Sequence, residues 1–207
     1  MTIWHRFRLA SQGSLRNSCG METRLAGPPA VICDVDGTLC DVRTIRHFVE
    51  RPAGSERFRA DFARFHAASK DCPPFPKVSG LVRRLDLEGY AIVIVTARAG
   101  RWAELTERWL DEHRVPRSEL ITRRDLDNRS DAVVKAEICA EVQSRYTARL
   151  AIDDRDDILA VWEASSIPTL KVDDAGRLSR IRWLGRHPDE SLDALVSLAR
   201  EARDSVS

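Results

Sequence analysis

The stretch Val31-Ile-Cys-Asp34-Val-Asp36-Gly37-Thr38 decides how this chain is read. A short β-branched run passes directly into two aspartates and a glycine, the pattern of a buried strand that ends in a sharp polar turn. Two later runs end in the same manner. Tyr90-Ala-Ile-Val-Ile-Val95 leads into Thr96-Ala-Arg98, and Arg149-Leu-Ala-Ile152 leads into Asp153-Asp154-Arg155-Asp156-Asp157. Segments of helical periodicity lie around them: Glu56 to Ser69 with Phe58, Phe62 and Phe65 in a stripe, Val78 to Leu87 closed by Gly89, Trp102 to His113, Asp131 to Tyr146, and Ile158 to Ala164. Leu120-Ile121 and Thr169-Leu-Lys-Val172 read as further short strands. Strands alternating with helices predict an α/β fold of three layers around a parallel sheet of about five strands. Such a sheet gathers its polar strand ends on one rim, where open α/β sheets bind ligands.

Outward from this core the chain is plainer. Residues 1–29 are rich in Ser, Gly and Arg, end in Gly27-Pro28-Pro29, and read as a poorly ordered leader, with Met21 an alternative start. Residues 30–207 form the main domain. Within it, 41–76 read as a small helical cap, broken at Cys72-Pro-Pro-Phe-Pro76, and 189–202 as a C-terminal amphipathic helix striped by Leu192, Leu195 and Leu198. The 33 basic and 32 acidic residues of the 207 leave a net charge of +1, which excludes a strongly basic coat or an acidic tail as the chain's main character. No apolar run approaches the ~18 residues of a membrane span, and the N-terminus lacks the apolar core of a secretory signal. Five cysteines without a Cys-x-x-Cys pair read as reduced thiols in a cytoplasmic protein. Neither a P-loop nor a Gly-x-Gly-x-x-Gly fingerprint occurs.

The rim carries the chemistry. Carboxylates gathered together resist ionisation, and a hard divalent cation with oxygen ligands, Mg²⁺, relieves this. Asp34 is then both metal ligand and nucleophile, able to form an aspartyl-phosphate. Asp36, two residues on, is placed to protonate a leaving oxygen and later to activate water. Asp153 and Asp154 complete an expected metal set of Asp34, Asp36, Asp153 and Asp154, with Asp157 either a further support or a first-turn acid. Thr96 donates to a phosphoryl oxygen and Lys135 neutralises charge. Lysine occurs at only four positions, 70, 77, 135 and 171, so its placement at 135 is informative. The tryptophans at 102, 109 and 162 and the Phe58/Phe62/Phe65 stripe read as core, with base stacking by one of these phenylalanines a lesser alternative.

In order and spacing, Asp34-Val-Asp36-Gly-Thr38, Thr96, Lys135 and Asp153-Asp154 resemble the four motifs of the haloacid dehalogenase superfamily, across about residues 30–172. An acid at the second aspartate position matches that superfamily's phosphatase branch. The resemblance implies a three-layer Rossmann-like fold with a minimal cap. More narrowly, Val95-Thr-Ala-Arg98, Arg123, Arg129-Ser-Asp131-Ala-Val-Val-Lys135-Ala-Glu137-Ile and Leu150-Ala-Ile-Asp153-Asp-Arg155 resemble the phosphatase domain of phage polynucleotide kinase-phosphatases. This resemblance implies that Arg98, Arg123, Arg129 and Arg43 bind phosphate or substrate. It also implies a stand-alone phosphatase module, since the kinase half of that family needs a P-loop.

The function expected is therefore Mg²⁺-dependent phosphomonoester hydrolysis, with a 3′-phosphate at a DNA or RNA end as the preferred substrate. The small cap suits a polymer end. A phosphatase of free nucleotides or other small phosphorylated molecules is the alternative within the class, and a non-catalytic phosphate-end binder the alternative outside it. A separate kinase or ligase partner is left open, and no membrane partner is expected.

Overall fold

The computed structural model describes residues 6–8, 27–54 and 57–182. The C-terminal helix expected at 189–202 lies outside them, as does most of the expected leader.

Seven strands form one sheet: β1 (Arg6–Arg8), β2 (Pro29–Cys33), β3 (Ala91–Ala99), β4 (Glu119–Arg123), β5 (Thr147–Asp153), β6 (Thr169–Val172) and β7 (Leu178–Arg182), in the order β1-β4-β3-β2-β5-β6-β7. The five inner strands are mutually parallel, while β1 and β7 pair antiparallel at the two edges. The parallel core is the expected one. The edges are not. Arg6–Arg8, inside the stretch read as a leader, pairs with β4, and Leu178–Arg182, beyond the last expected strand, covers β6. Three-residue and half-exposed strands carry too little apolar alternation to announce themselves in a sequence.

The helices are α1 (Phe62–Ala68), α2 (Pro76–Leu87), α3 (Ala103–Glu112), α4 (Asp131–Gln143) and α5 (Asp156–Ala164). Their ends have local causes. Asp61 caps α1 by accepting a 2.9 Å hydrogen bond from the Arg64 backbone N–H, so that helix starts at 62 and not at the expected 56. Pro76 opens α2 with its φ already helical, and Gly89, at φ +88°, closes it in the left-handed conformation.

Side chains alternate across the sheet and feed two cores. Val31, Cys33, Ile92, Ile94, Leu150 and Ile152 pack with α2 and α3 on one face. Ala30, Ile32, Val93, Val95 and Ala151 pack with α4 and α5 on the other. Both faces are dry, which is why β2 and β3 read as continuous apolar runs. Trp109 anchors one core and Trp162 the other, each 1% exposed.

β2 sits at the centre, with β3 on one side and β5 on the other, so the chain reverses its direction of travel across the sheet at this strand. The crevice of a parallel α/β sheet forms at such a switch point. Residues 41–76 lie beyond this rim, and those described among them hold α1 and two single turns of 3₁₀ helix, Arg46–Phe48 and Ser69–Asp71. They are tied down by Trp109, whose indole Nε1–H donates 2.8 Å to the buried carbonyl of Cys72. Trp109→Phe keeps the ring but leaves that carbonyl unpaired. It is expected to cost about 1–3 kcal/mol in urea unfolding.

Candidate active site

Asp34 is the first residue past β2, held by its backbone N–H donating 3.0 Å to the carbonyl of Ile152 at the end of β5. That bond sets the two strand ends side by side and brings Asp34 against Asp153. Lys135, in the second turn of α4, reaches between them. Its Nζ donates 2.7 Å to Asp34 Oδ1 and 2.8 Å to Asp153 Oδ2, and all three side chains are nearly excluded from solvent. The ammonium is stabilised well beyond its ordinary range: burial acts against the charge, but the two carboxylates outweigh it.

Asp154 joins the group from above. Gly37 turns the chain at φ +84°, and a Cβ there would collide with the Asp154 carboxylate. The glycine of the motif is thus needed for the turn and for the approach of an acid. Thr38 Oγ1 donates 3.3 Å to Asp154 Oδ1. Asp34, Asp153 and Asp154 place one carboxylate oxygen each within 4.8 Å of one another, an acidic cluster able to hold a metal ion. Burial drives the Asp34 carboxyl well above the usual carboxylate range; Lys135 opposes this, and Asp153 and Asp154 add to it. Burial and then Asp153 push Asp154 up to about 6. One lysine does not neutralise three gathered carboxylates, and a divalent cation with oxygen ligands fits what is missing.

Asp36, expected among the metal ligands, is outside this trio. Arg98 grips it with both prongs, Nε to Oδ2 at 2.9 Å and Nη2 to Oδ1 at 2.6 Å. Burial alone would raise the Asp36 carboxyl, but the charge and hydrogen bonds of Arg98 hold it below the ordinary range. Arg98 is fully buried. It lies at the end of β3, spends its remaining prong on Thr106 Oγ1 at 3.1 Å, and donates its backbone N–H 3.2 Å to Thr96 Oγ1. Thr96 is buried beside it.

The other three arginines expected to bind phosphate are engaged elsewhere. Arg43 is exposed, ion-paired with Asp41 and stacked 5.6 Å over the Phe75 ring. Arg123 joins Asp131 and donates to the carbonyls of Asp127 and Arg129 at 3.0 and 2.9 Å. Arg129 is held by Asp127 and Glu137. Asp157 is an exposed first-turn acid of α5 paired with Arg155. Sequence reasoning passed over Thr106, one helical turn beyond Trp102 and without a motif, and Arg46, which lies 3.9 Å from Asp154 and 2.8 Å from Asp174. Thr38 is marked in the sequence only by its place in the first motif. Nothing local to Thr106 or Arg46 marks them.

A family model described as the polynucleotide kinase PNKP phosphatase domain matches residues 28–176, which include every element that builds this site. The chain belongs to this family. By family it is a phosphatase domain of haloacid dehalogenase type, a phosphoric monoester hydrolase. Solved structures share its fold. A chain of the Pnkp1/Rnl/Hen1 complex superposes with a TM-score of 0.58 at 24% identity, over 74% of this phosphatase and 48% of that chain. This phosphatase therefore spans about half the length of that relative. A class C acid phosphatase from Bacillus anthracis, with tungstate bound, gives 0.53 at 10% identity, covering 89% and 81%. A haloacid dehalogenase-like hydrolase from Streptococcus pneumoniae gives 0.50 at 17%, covering 70% and 84%.

The Asp36–Arg98 pair sets a pH-dependent expectation. Arg98→Gln strands a partly buried carboxylate and should destabilise this phosphatase by about 1–3 kcal/mol at pH 7. The wild-type pair contributes stability above the unfolded carboxyl pKa and loses it as pH falls through the lowered folded value. In the variant, burial raises that pKa instead, so acid relieves the strain. The difference between the two proteins in urea unfolding should shrink markedly from pH 7 to pH 3.

Proposed function

We propose that this phosphatase removes the 3′-phosphate from DNA or RNA ends in a Mg²⁺-dependent reaction through an aspartyl-phosphate on Asp34. The observation that carries the chemistry is the buried Lys135 ammonium bridging Asp34 and Asp153 at the centre of the sheet rim. A lysine so placed opposes the burial that raises the Asp34 carboxyl, holds that carboxyl in place, and supplies positive charge where phosphoryl oxygens gather.

Asp34, Asp153 and Asp154 would hold the Mg²⁺, which when bound offsets carboxylate repulsion and draws electron density from the phosphoryl group. The Asp34 carboxylate attacks phosphorus, and the bond from phosphorus to the ester oxygen breaks. Asp36, entering this first step protonated, gives that oxygen its proton, and the Arg98 guanidinium, which favours the ionised form, makes it the stronger acid. Water then attacks the aspartyl-phosphate, Asp36 takes the proton back, and inorganic phosphate leaves with Asp34 restored. Arg98 holds Asp36 in the ionised form that this second step needs. Thr96 lies beside it with a hydroxyl hydrogen to offer a phosphoryl oxygen. Residues 41–76 act as a minimal cap, and their single short α-helix leaves the rim open to a polymer end. The family match supports the preference for nucleic acid.

The purified protein with Mg²⁺ is expected to release phosphate fastest from a 3′-phosphorylated oligonucleotide, more slowly from a 3′-mononucleotide, and not from the 5′-phosphorylated isomer. Asp34→Asn should abolish release, by at least about 10³-fold, while the folded state persists. Faster turnover of the mononucleotide would transfer the assignment to small phosphorylated molecules.

Because Asp154 titrates at about 6, Mg²⁺ must displace a proton from it in mildly acid solution. Mg²⁺ binding followed by calorimetry should be weaker at pH 5 than at pH 7. Proton uptake by the buffer should accompany it at the lower pH, and Asp154→Asn should lessen both effects.

A further inference from the structure

Beside the catalytic rim lies a cleft of about 510 Å³, a volume within the ~300–1,000 Å³ of small-molecule sites. Ala97 and Ala99, on either side of Arg98 in the sequence, line it. Three rings make one wall: Phe62 of α1, His66 one turn on, and Trp102 at the start of α3, with centroids 6.2 Å apart between Phe62 and His66 and 5.8 Å between His66 and Trp102. Phe62 is 59% exposed, so its ring is open to a ligand. The lining also includes Arg101, Arg123 and Arg129. The guanidinium of Arg101 has no carboxylate partner among the described residues.

We propose that this cleft is a nucleobase subsite, in which the rings of Phe62, His66 and Trp102 stack the terminal base of a single-stranded 3′-phosphorylated end and Arg101 meets the next phosphodiester. The inference rests on the 3′-phosphatase reading above and specifies what recognises the substrate. Aromatic faces beside a cation are what sequence-tolerant binding of unpaired nucleic acid requires. Burial, then the positive charges of Arg98, Arg101 and Arg123, lower the His66 pKa to about 4, so at neutral pH it offers an uncharged ring. Two buried ring nitrogens on this wall, His66 Nδ1 and Trp102 Nε1, have no hydrogen-bond partner among the described residues. The wall is also fastened to the catalytic pair. Thr106 Oγ1 accepts from Arg98 Nη1 and donates 2.9 Å to the carbonyl of Trp102, so the ring is set relative to the guanidinium that grips Asp36.

The test is a cycle between one side chain and one base. Phosphate release is measured for two 3′-phosphorylated trinucleotides, one intact and one abasic at its terminal nucleotide, with wild type and Phe62→Ala. For wild type, removing the base should raise KM by roughly 5- to 100-fold, with kcat within about twofold. In Phe62→Ala that ratio should collapse towards unity, since the base has lost its partner. Trp102→Leu should reduce it likewise. An unchanged ratio in both variants, or no effect of the base on wild type, overturns the subsite. Binding of the same two trinucleotides to Asp34→Asn, read by fluorescence anisotropy of a 5′ label, separates this from the reaction. Base-dependent binding that is lost on adding Phe62→Ala supports the cleft even if wild type releases no 3′-phosphate, which would overturn the 3′-phosphatase reading alone. Base-independent binding overturns the subsite whatever the turnover.

Discussion

The Lys135 ammonium, buried between Asp34 and Asp153, is the interaction on which the rest of the site depends. A buried charge is tolerated only when it is paired and hydrogen-bonded, and Lys135 has both partners within 2.8 Å. The acids depend equally on the lysine, because Asp34 and Asp154 share this space with Asp153, and burial and acidic neighbours raise both of them. Three separate elements must converge to make this group: the ends of β2 and β5, and the second turn of α4. The parallel pairing of β2 with β5 is what makes that convergence possible.

A second ion pair, with its guanidinium buried and its carboxylate partly exposed, sits beside the first and differs in character. Lys135 shares one point charge between two acids, whereas Arg98 spends a planar fork on the single carboxylate of Asp36. The two aspartates of Asp34-Val-Asp36 therefore stand in opposite electrostatic states. Burial and neighbouring acids raise Asp34, while a dedicated guanidinium lowers Asp36. Two carboxyl groups two residues apart thus stand in different surroundings although they share one motif. Gly37 supports the arrangement by letting Asp154 into the space that any side chain there would occupy.

The arginines show where local pattern stops being informative. With 29 of them among the 33 basic residues, matches to a motif say little about partners. Arg98 clamps a residue 62 positions away, Arg123 and Arg129 organise the loop before α4, and Arg43 pairs with a near neighbour. The aromatic residues show a similar limit. Helical spacing places Phe62 and Trp102 in apparent stripes with Phe65 and Trp109. Spacing defines a helix face, but not what that face meets. Phe65 and Trp109 meet the core; Phe62 and Trp102 meet the cleft beside the rim.

The amino-acid sequence by itself determined the parallel α/β core and the chemistry at its rim. Those signals are local: apolar runs of strand length, each ending in Asp34, Thr96 or Asp153, and a rare lysine at 135 placed on a helix between them. A parallel sheet then has only one rim on which such ends can meet. Tertiary structure alone decided which cation pairs with which acid, which aromatic rings stay exposed, and that Arg6–Arg8 and Leu178–Arg182 close the two edges of the sheet. The reason is physical. Ion pairs and ring exposure depend on neighbours brought together from distant positions, and no periodicity in the chain records them.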